Sequence, residues 1–197
     1  LAYAGYSAYE ASAVSTSKNV VPVFDTYNQF IKGSTELDQF DKGRPLEKFG
    51  KPTKTHATPE AKWTALYEVS EPGTKVDGVS DVAKLAKAAA AYRLGKFEES
   101  ATLYEGLRKA DTPIKPFVLY GLAQALRGKG DHEAAISTLD ELSKLQSKYA
   151  PVALYQKGRT LEDAGKVEAA KEAYHKLVEE YPDSDFKSDV DRRLATL

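Results

Sequence analysis

The chain has 197 residues, 42% apolar and 29% charged, with 28 basic against 29 acidic side chains and a net charge of −1. That composition belongs to folded globular chains rather than disordered ones, and the balance of charge leaves no global field to draw nucleic acid or an anionic membrane surface. There is no cysteine, hence no disulfide or thiolate metal site, and no run of about 18 apolar residues that would span a bilayer.

The chain starts at Leu1 and holds no methionine, which reads as a truncated or processed product. Residues 1–33 read as helix, in one or two pieces. Ala2, Tyr6, Tyr9 and Ala13 share a face at helical spacing, and Val20, Val23, Phe24, Tyr27 and Ile31 form a cleaner stripe that Gly33 would stop. Pro22 either starts the second helix or kinks a single long one. Two readings stay open: an amphipathic helix packed on the body, or the juxtamembrane end of an anchor upstream. Tyr3, Tyr6 and Tyr9 are of the amphipathic aromatic type enriched at membrane interfaces.

Residues 34–58 read as a linker, punctuated by Gly, Pro, Ser and Thr. Lys42, Arg44, Lys48, Lys51 and Lys54 gather around Glu47 and Phe49 there; a solvated connector accounts for them better than a patch for phosphate or lipid headgroups. Thr58-Pro59-Glu60 is a helix start, with Thr58 as N-cap, Pro59 in the first turn and an acid beside it. Trp63, Leu66 and Tyr67 give the short helix at 59–69 an apolar face, placed to cap the open end of a helical array that begins at Asp81. Pro72, Gly73 and Gly78 are expected to end it.

From Asp81 onward one pattern recurs. Gly95, Gly130 and Gly165 are spaced by 35 residues. In each copy Glu follows at three (Glu98, Glu133, Glu168), a small residue at five (Ser100, Ala135, Ala170), a large one at nine (Tyr104, Leu139, Tyr174) and Leu at twelve (Leu107, Leu142, Leu177). A period of this length means an array of supersecondary units, each unable to bury its apolar face alone. First helices are expected at 81–93, 116–128 and 151–163, and second helices at 97–110, 132–147 and 167–181, with the glycines in the tight turn and Pro113, Pro116, Pro151 and Pro182 between units.

The units resemble tetratricopeptide repeats. Ala88, Ala123 and Gly158 match the small position in that family's first helix, and Ser100, Ala135 and Ala170 the one in its second, which lets the two helices cross closely. Phe97 and Val167, together with Tyr104, Leu139 and Tyr174, match its large packing positions, and Pro182 the proline that closes a unit. The departures are the missing early tryptophan, His132 in place of an aromatic ring, and leucine at 107, 142 and 177. The resemblance implies an all-α fold, a helix-turn-helix repeat solenoid of three units over 59–197 behind an N-terminal helical segment. It also implies a groove lined by Leu85, Ala89 and Tyr92, by Tyr120, Gln124 and Arg127, and by Tyr155, Arg159 and Glu162, receiving a protein or peptide. Packing between helices is the competing role for Tyr120 and Tyr155.

The overall layout, with its "YPDS" ending at 181–184, is similar to bacterial periplasmic tetratricopeptide-like proteins held by one N-terminal transmembrane helix. One branch of that group is an ancillary subunit of the Sec translocon. This likeness implies a scaffold at the periplasmic face of the inner membrane, serving translocation or chaperone networks, with membrane contact only through a segment upstream of Leu1. The alternatives are a self-associating module, a homodimer whose groove is filled by another copy, and a soluble cytosolic adaptor.

Chemistry is expected to be absent. His56, His132 and His175 are scattered without metal-ligand spacing, so no metal or other cofactor is expected. Asp131-His132-Glu133 point in different directions around a helix, which makes His132 a packing residue. "GKGDH" lacks the spacing of a phosphate loop, and there is no Gly-x-Ser-x-Gly elbow. The charge runs Glu98-Glu99, Glu179-Glu180 and Asp189 to Arg193 read as solvated helix faces.

Overall fold

The computed structural model describes residues 58–75, 80–109, 114–145 and 149–197. The helix expected over 1–33 and the linker up to 57 lie outside the described residues, as does His56. Among the described residues there are eight helices and no strand. They are α1 (Pro59–Gly73), α2 (Ser80–Arg93), α3 (Phe97–Leu107), α4 (Lys115–Gly128), α5 (His132–Leu145), α6 (Ala150–Asp163), α7 (Val167–Glu180) and α8 (Lys187–Leu194). In chain order, α2/α3, α4/α5 and α6/α7 are the three helix-turn-helix units at the expected positions. The chain divides into two compact units, one ending at Leu94 and the other running from Gly95 to Leu197. The division therefore falls in the turn of the first repeat.

In the unit ending at Leu94, α1 packs on α2. The hydroxyl oxygen of Thr58 accepts a hydrogen bond from the Ala61 amide at 3.1 Å, so this N-cap forms as expected. Leu66 is buried with Ala86 and Ala90 of α2, and Trp63 and Tyr67 pack against that cluster, with the Arg93 guanidinium 5.3 Å from the Trp63 ring centre. The helix extends beyond the expected end at 69, through Pro72 to Gly73. Ser70, buried in the extra turn, donates to the Leu66 carbonyl at 2.7 Å, which satisfies its hydroxyl within the helix.

In the unit from Gly95, each helix packs on the next one in the chain, from α3 through to α8. This is the solenoid arrangement, and its turns follow from the glycines. Gly130 and Gly165 adopt φ of +87° and +71°, a conformation that costs other residues strain. Their turns repeat one hydrogen-bond pattern: Gly130 and Asp131 donate to Arg127 and Leu126 carbonyls at 3.0 and 2.9 Å, while Gly165 and Lys166 donate to Glu162 and Leu161 at 2.9 and 2.8 Å. These are Schellman closures, which satisfy the last carbonyls of α4 and α6 and turn the chain directly into α5 and α7.

Small residues set how closely the helices approach. Ala123, Ala135, Gly158 and Ala170 are all buried. A Cβ at Gly158 would lie 2.3 Å from the Tyr174 ring, so this glycine seats the large side chain of α7. Gly121 does the same for Tyr104, where a Cβ would meet the ring at 2.2 Å. Among the described residues, two clusters of this unit lie between helices. Leu119, Ala123, Leu139, Leu142 and Ala153 form one. Tyr155, Leu161, Ala170, Ala173, Tyr174, Leu177 and Val190 form the other. Burying each leucine contributes about 1.5–3 kcal/mol.

Candidate functional site

The residues expected to line a groove recur at i, i+4 and i+7 on the first helix of each unit, so each triplet shares one helix face. Leu85, Ala89 and Tyr92 lie half-buried on α2, in the unit ending at Leu94. The other six lie in the unit from Gly95, and there the two helices differ.

On α6 the face is occupied by the chain's own C-terminus. Tyr155 is only 8% exposed. Its ring stacks on Phe186 with centroids 4.7 Å apart and planes 14° from parallel, and its hydroxyl donates to Asp189. Glu162 accepts from the Tyr174 hydroxyl and takes two hydrogen bonds from Arg193 at 3.0 and 3.2 Å. Arg193 also donates to Asp189 at 3.3 Å. Tyr155 and Glu162 therefore form the seat of α8, and packing is the role the structure gives Tyr155. The run Asp189 to Arg193 also departs from the solvated helix face expected of it. Val190 is fully buried, and placing it there turns Asp189 and Arg193 toward α6.

The closed end also shifts the titration of Tyr174. Tyr174 has no exposed surface, and its hydroxyl pKa is pushed well above the ordinary tyrosine value. Burial is the main cause, followed by the hydrogen bond to Glu162 and the negative charge of that carboxylate.

On α4 the corresponding face is more exposed. Tyr120 is 37% exposed, and Phe117, one turn earlier on the same face, is 42% exposed. Gln124 is half-buried one turn further on. Gln156 of α6 donates from its amide nitrogen to the Tyr120 hydroxyl through a long hydrogen bond of 3.5 Å, while its carbonyl oxygen is buried without a partner. Arg127 of α4 is bound to Asp163 at the end of α6, within the unit from Gly95. Arg159 lies with its guanidinium carbon 6.0 Å from the Tyr155 ring centre, and its Nε is buried without a partner.

Phe117 and Gln156 were not singled out from the sequence. Phe117 had a legible signal, its three-residue spacing before Tyr120. Gln156 had none, because its role depends on the neighbouring helix. His132 is half-buried, with its Nδ1 buried and unpartnered, whereas His175 is exposed. Among the described residues no group of three or more His, Asp or Glu is placed to hold a metal ion, and no helix is long and apolar enough to cross a membrane.

Comparison with known proteins agrees with this geometry. Tetratricopeptide-repeat family profiles match residues 85–150 and residues 152–184, together about half of the chain. No curated protein is similar enough to count as a match.

Proposed function

Because the chain is a tetratricopeptide-repeat protein, we propose that it is a non-enzymatic scaffold that binds a partner protein or peptide on the first-helix face of its central unit. The observation that carries this reading is the exposed aromatic pair Phe117 and Tyr120 on the first helix of the central repeat. Exposed aromatic rings beside polar side chains supply contact area at low entropic cost, which is how interfaces concentrate their binding energy. A photo-cross-linking residue at Gln124, compared with one at the exposed Ser137 on α5, tests it. Cross-links to a protein partner should form at 124 and not at 137. Equal yields at both positions, or none at 124, would reject this face.

The envelope assignment belongs to the same proposal. A Tyr-rich apolar segment, a linker and then a short repeat array support a scaffold of the bacterial periplasm, anchored to the inner membrane and working in translocation or chaperone networks. Cell fractionation of the protein expressed with its native upstream sequence tests this separately. The protein should sediment with inner membranes and be cleaved by protease added to the periplasm; recovery in the cytosolic fraction would contradict it.

A further inference from the structure

The groove between α3 and α4 is hollow where its counterpart one repeat later is filled. Ala101, Leu122 and Leu126 close its floor, Thr102, Glu105 and Gly106 stand exposed along its wall, and its volume is about 590 Å³. Thirty-five residues on, the same place between α5 and α6 is occupied by the chain itself. Ile136 stands in the position of Ala101 and packs against the neighbouring cluster, and Lys157 stands in the position of Leu122. The Lys157 ammonium reaches across to Asp140, the counterpart of Glu105, and donates to it at 2.7 Å. Gly106 widens the hollow on α3. It lies in the last turn of that helix without a positive φ, where glycine is destabilising relative to alanine. A Cβ there would meet nothing within 4 Å, so no contact of the chain requires its small size.

We propose that this groove is a docking site for a lysine side chain of a partner protein, its stem lying over Gly106 and its ammonium held by Glu105. The Lys157–Asp140 pair shows what this place in the repeat accepts: an aliphatic stem across the groove and a cation at the wall. Glu105 can take a second cation. Its side chain is exposed, and its contacts to Arg108 are long, 3.3 and 3.4 Å, whereas Arg108 directs shorter bonds of 2.6 and 3.0 Å to Glu141. Lys109 on the rim does not prevent the pairing, since Lys144 stands at the matching position beside the filled groove. An incoming leucine would leave Glu105 without a cation, and a carboxylate would meet it with like charge. Leu122 and Leu126 lie on the opposite side of α4 from Phe117, Tyr120 and Gln124, at 100° per residue, so this site does not rest on the first-helix reading.

Nuclear magnetic resonance titration of the full chain with acetyl-Ala-Leu-Lys-Leu-Ala-amide, and with the same peptide carrying norleucine for lysine, tests the assignment. The lysine peptide should shift the Thr102 and Gly106 amides and the Leu122 and Leu126 methyl groups, and should bind about threefold more tightly than the norleucine peptide. Glu105→Gln should remove that preference. Gly106→Leu, which fills the space above the wall, should abolish binding while raising the thermal midpoint. Equal binding of the two peptides, or a preference that survives Glu105→Gln, would overturn the lysine assignment. If neither peptide shifts these residues at millimolar concentration, or if Gly106→Leu binds as the native chain does, the groove is not a docking site. Shifts confined to Phe117 and Tyr120 would refute this site and leave the first-helix reading standing.

Discussion

Tyr120 and Tyr155 occupy the same position in consecutive repeats, 35 residues apart, and have opposite surroundings. Tyr155 is covered by Phe186 and bound to Asp189, whereas Tyr120 is more than a third exposed. The difference comes from the end of the array, where α8 lies against the face of α6 and buries Tyr155. A position inherited by repetition thus has a structural role in one unit and is available for recognition in the next. What a repeat residue does is decided by the helix laid over it.

The sharpest way to break this comparison is to truncate each ring. Tyr155→Ala should cost about 3 kcal/mol, as loss of a buried aromatic side chain does, read as a fall in the midpoint of denaturant unfolding. A loss as small as that of an exposed residue would show that α8 does not seal the ring. Next comes the seat beneath the same end. In Gly158→Ala the new methyl group would meet the Tyr174 ring, and unfolding should show a loss of about 2 kcal/mol. Unchanged stability there would mean that the two helices are not held in close contact.

Tyr174→Phe is a smaller and pH-dependent change. At neutral pH it should cost about 1 kcal/mol, for the lost hydrogen bond to Glu162. The hydroxyl pKa is raised in the folded state, so the stability Tyr174 contributes is complete below its unfolded value of about 10 and lost as pH rises from there toward the folded value. Stability of the native chain should therefore fall more steeply above that pH than stability of the phenylalanine variant. Parallel pH profiles would remove the buried hydroxyl from the account. The smallest effect is expected at the more exposed face: Tyr120→Ala should change stability by no more than about 0.5 kcal/mol while weakening partner binding. Large destabilisation by this change would make Tyr120 a packing residue like its counterpart.

Much of this was legible in the sequence. The 35-residue period fixed the helix pairs, and Gly130 and Gly165 marked the turns because Schellman closures need positive φ. The small residues at 123, 135, 158 and 170 pointed to close crossing. Gly121, which seats Tyr104, was not seen, because it lies off the repeating positions and its partner is on the preceding helix. The separation of Tyr155 from Tyr120 was also missed, though the period held a clue. Val190 follows Tyr155 by the same 35 residues and is fully buried, so α8 continues the series as one further first helix. Its charges disguised it as a solvated face, although Phe186, Val190 and Leu194 recur every four residues and all join the same cluster. The orphaned atoms of Gln156 and Arg159 were beyond sequence reasoning, since they depend on where Arg127, Arg193 and Tyr174 direct their own hydrogen bonds.

The most direct test of the exposed and covered faces is tyrosine nitration of the native chain, followed residue by residue through peptide mass spectrometry. The account predicts that Tyr120 is modified early and that Tyr155 and Tyr174 react about tenfold more slowly, only as the closed end opens. Nitration of Tyr155 at the rate of Tyr120 would contradict it.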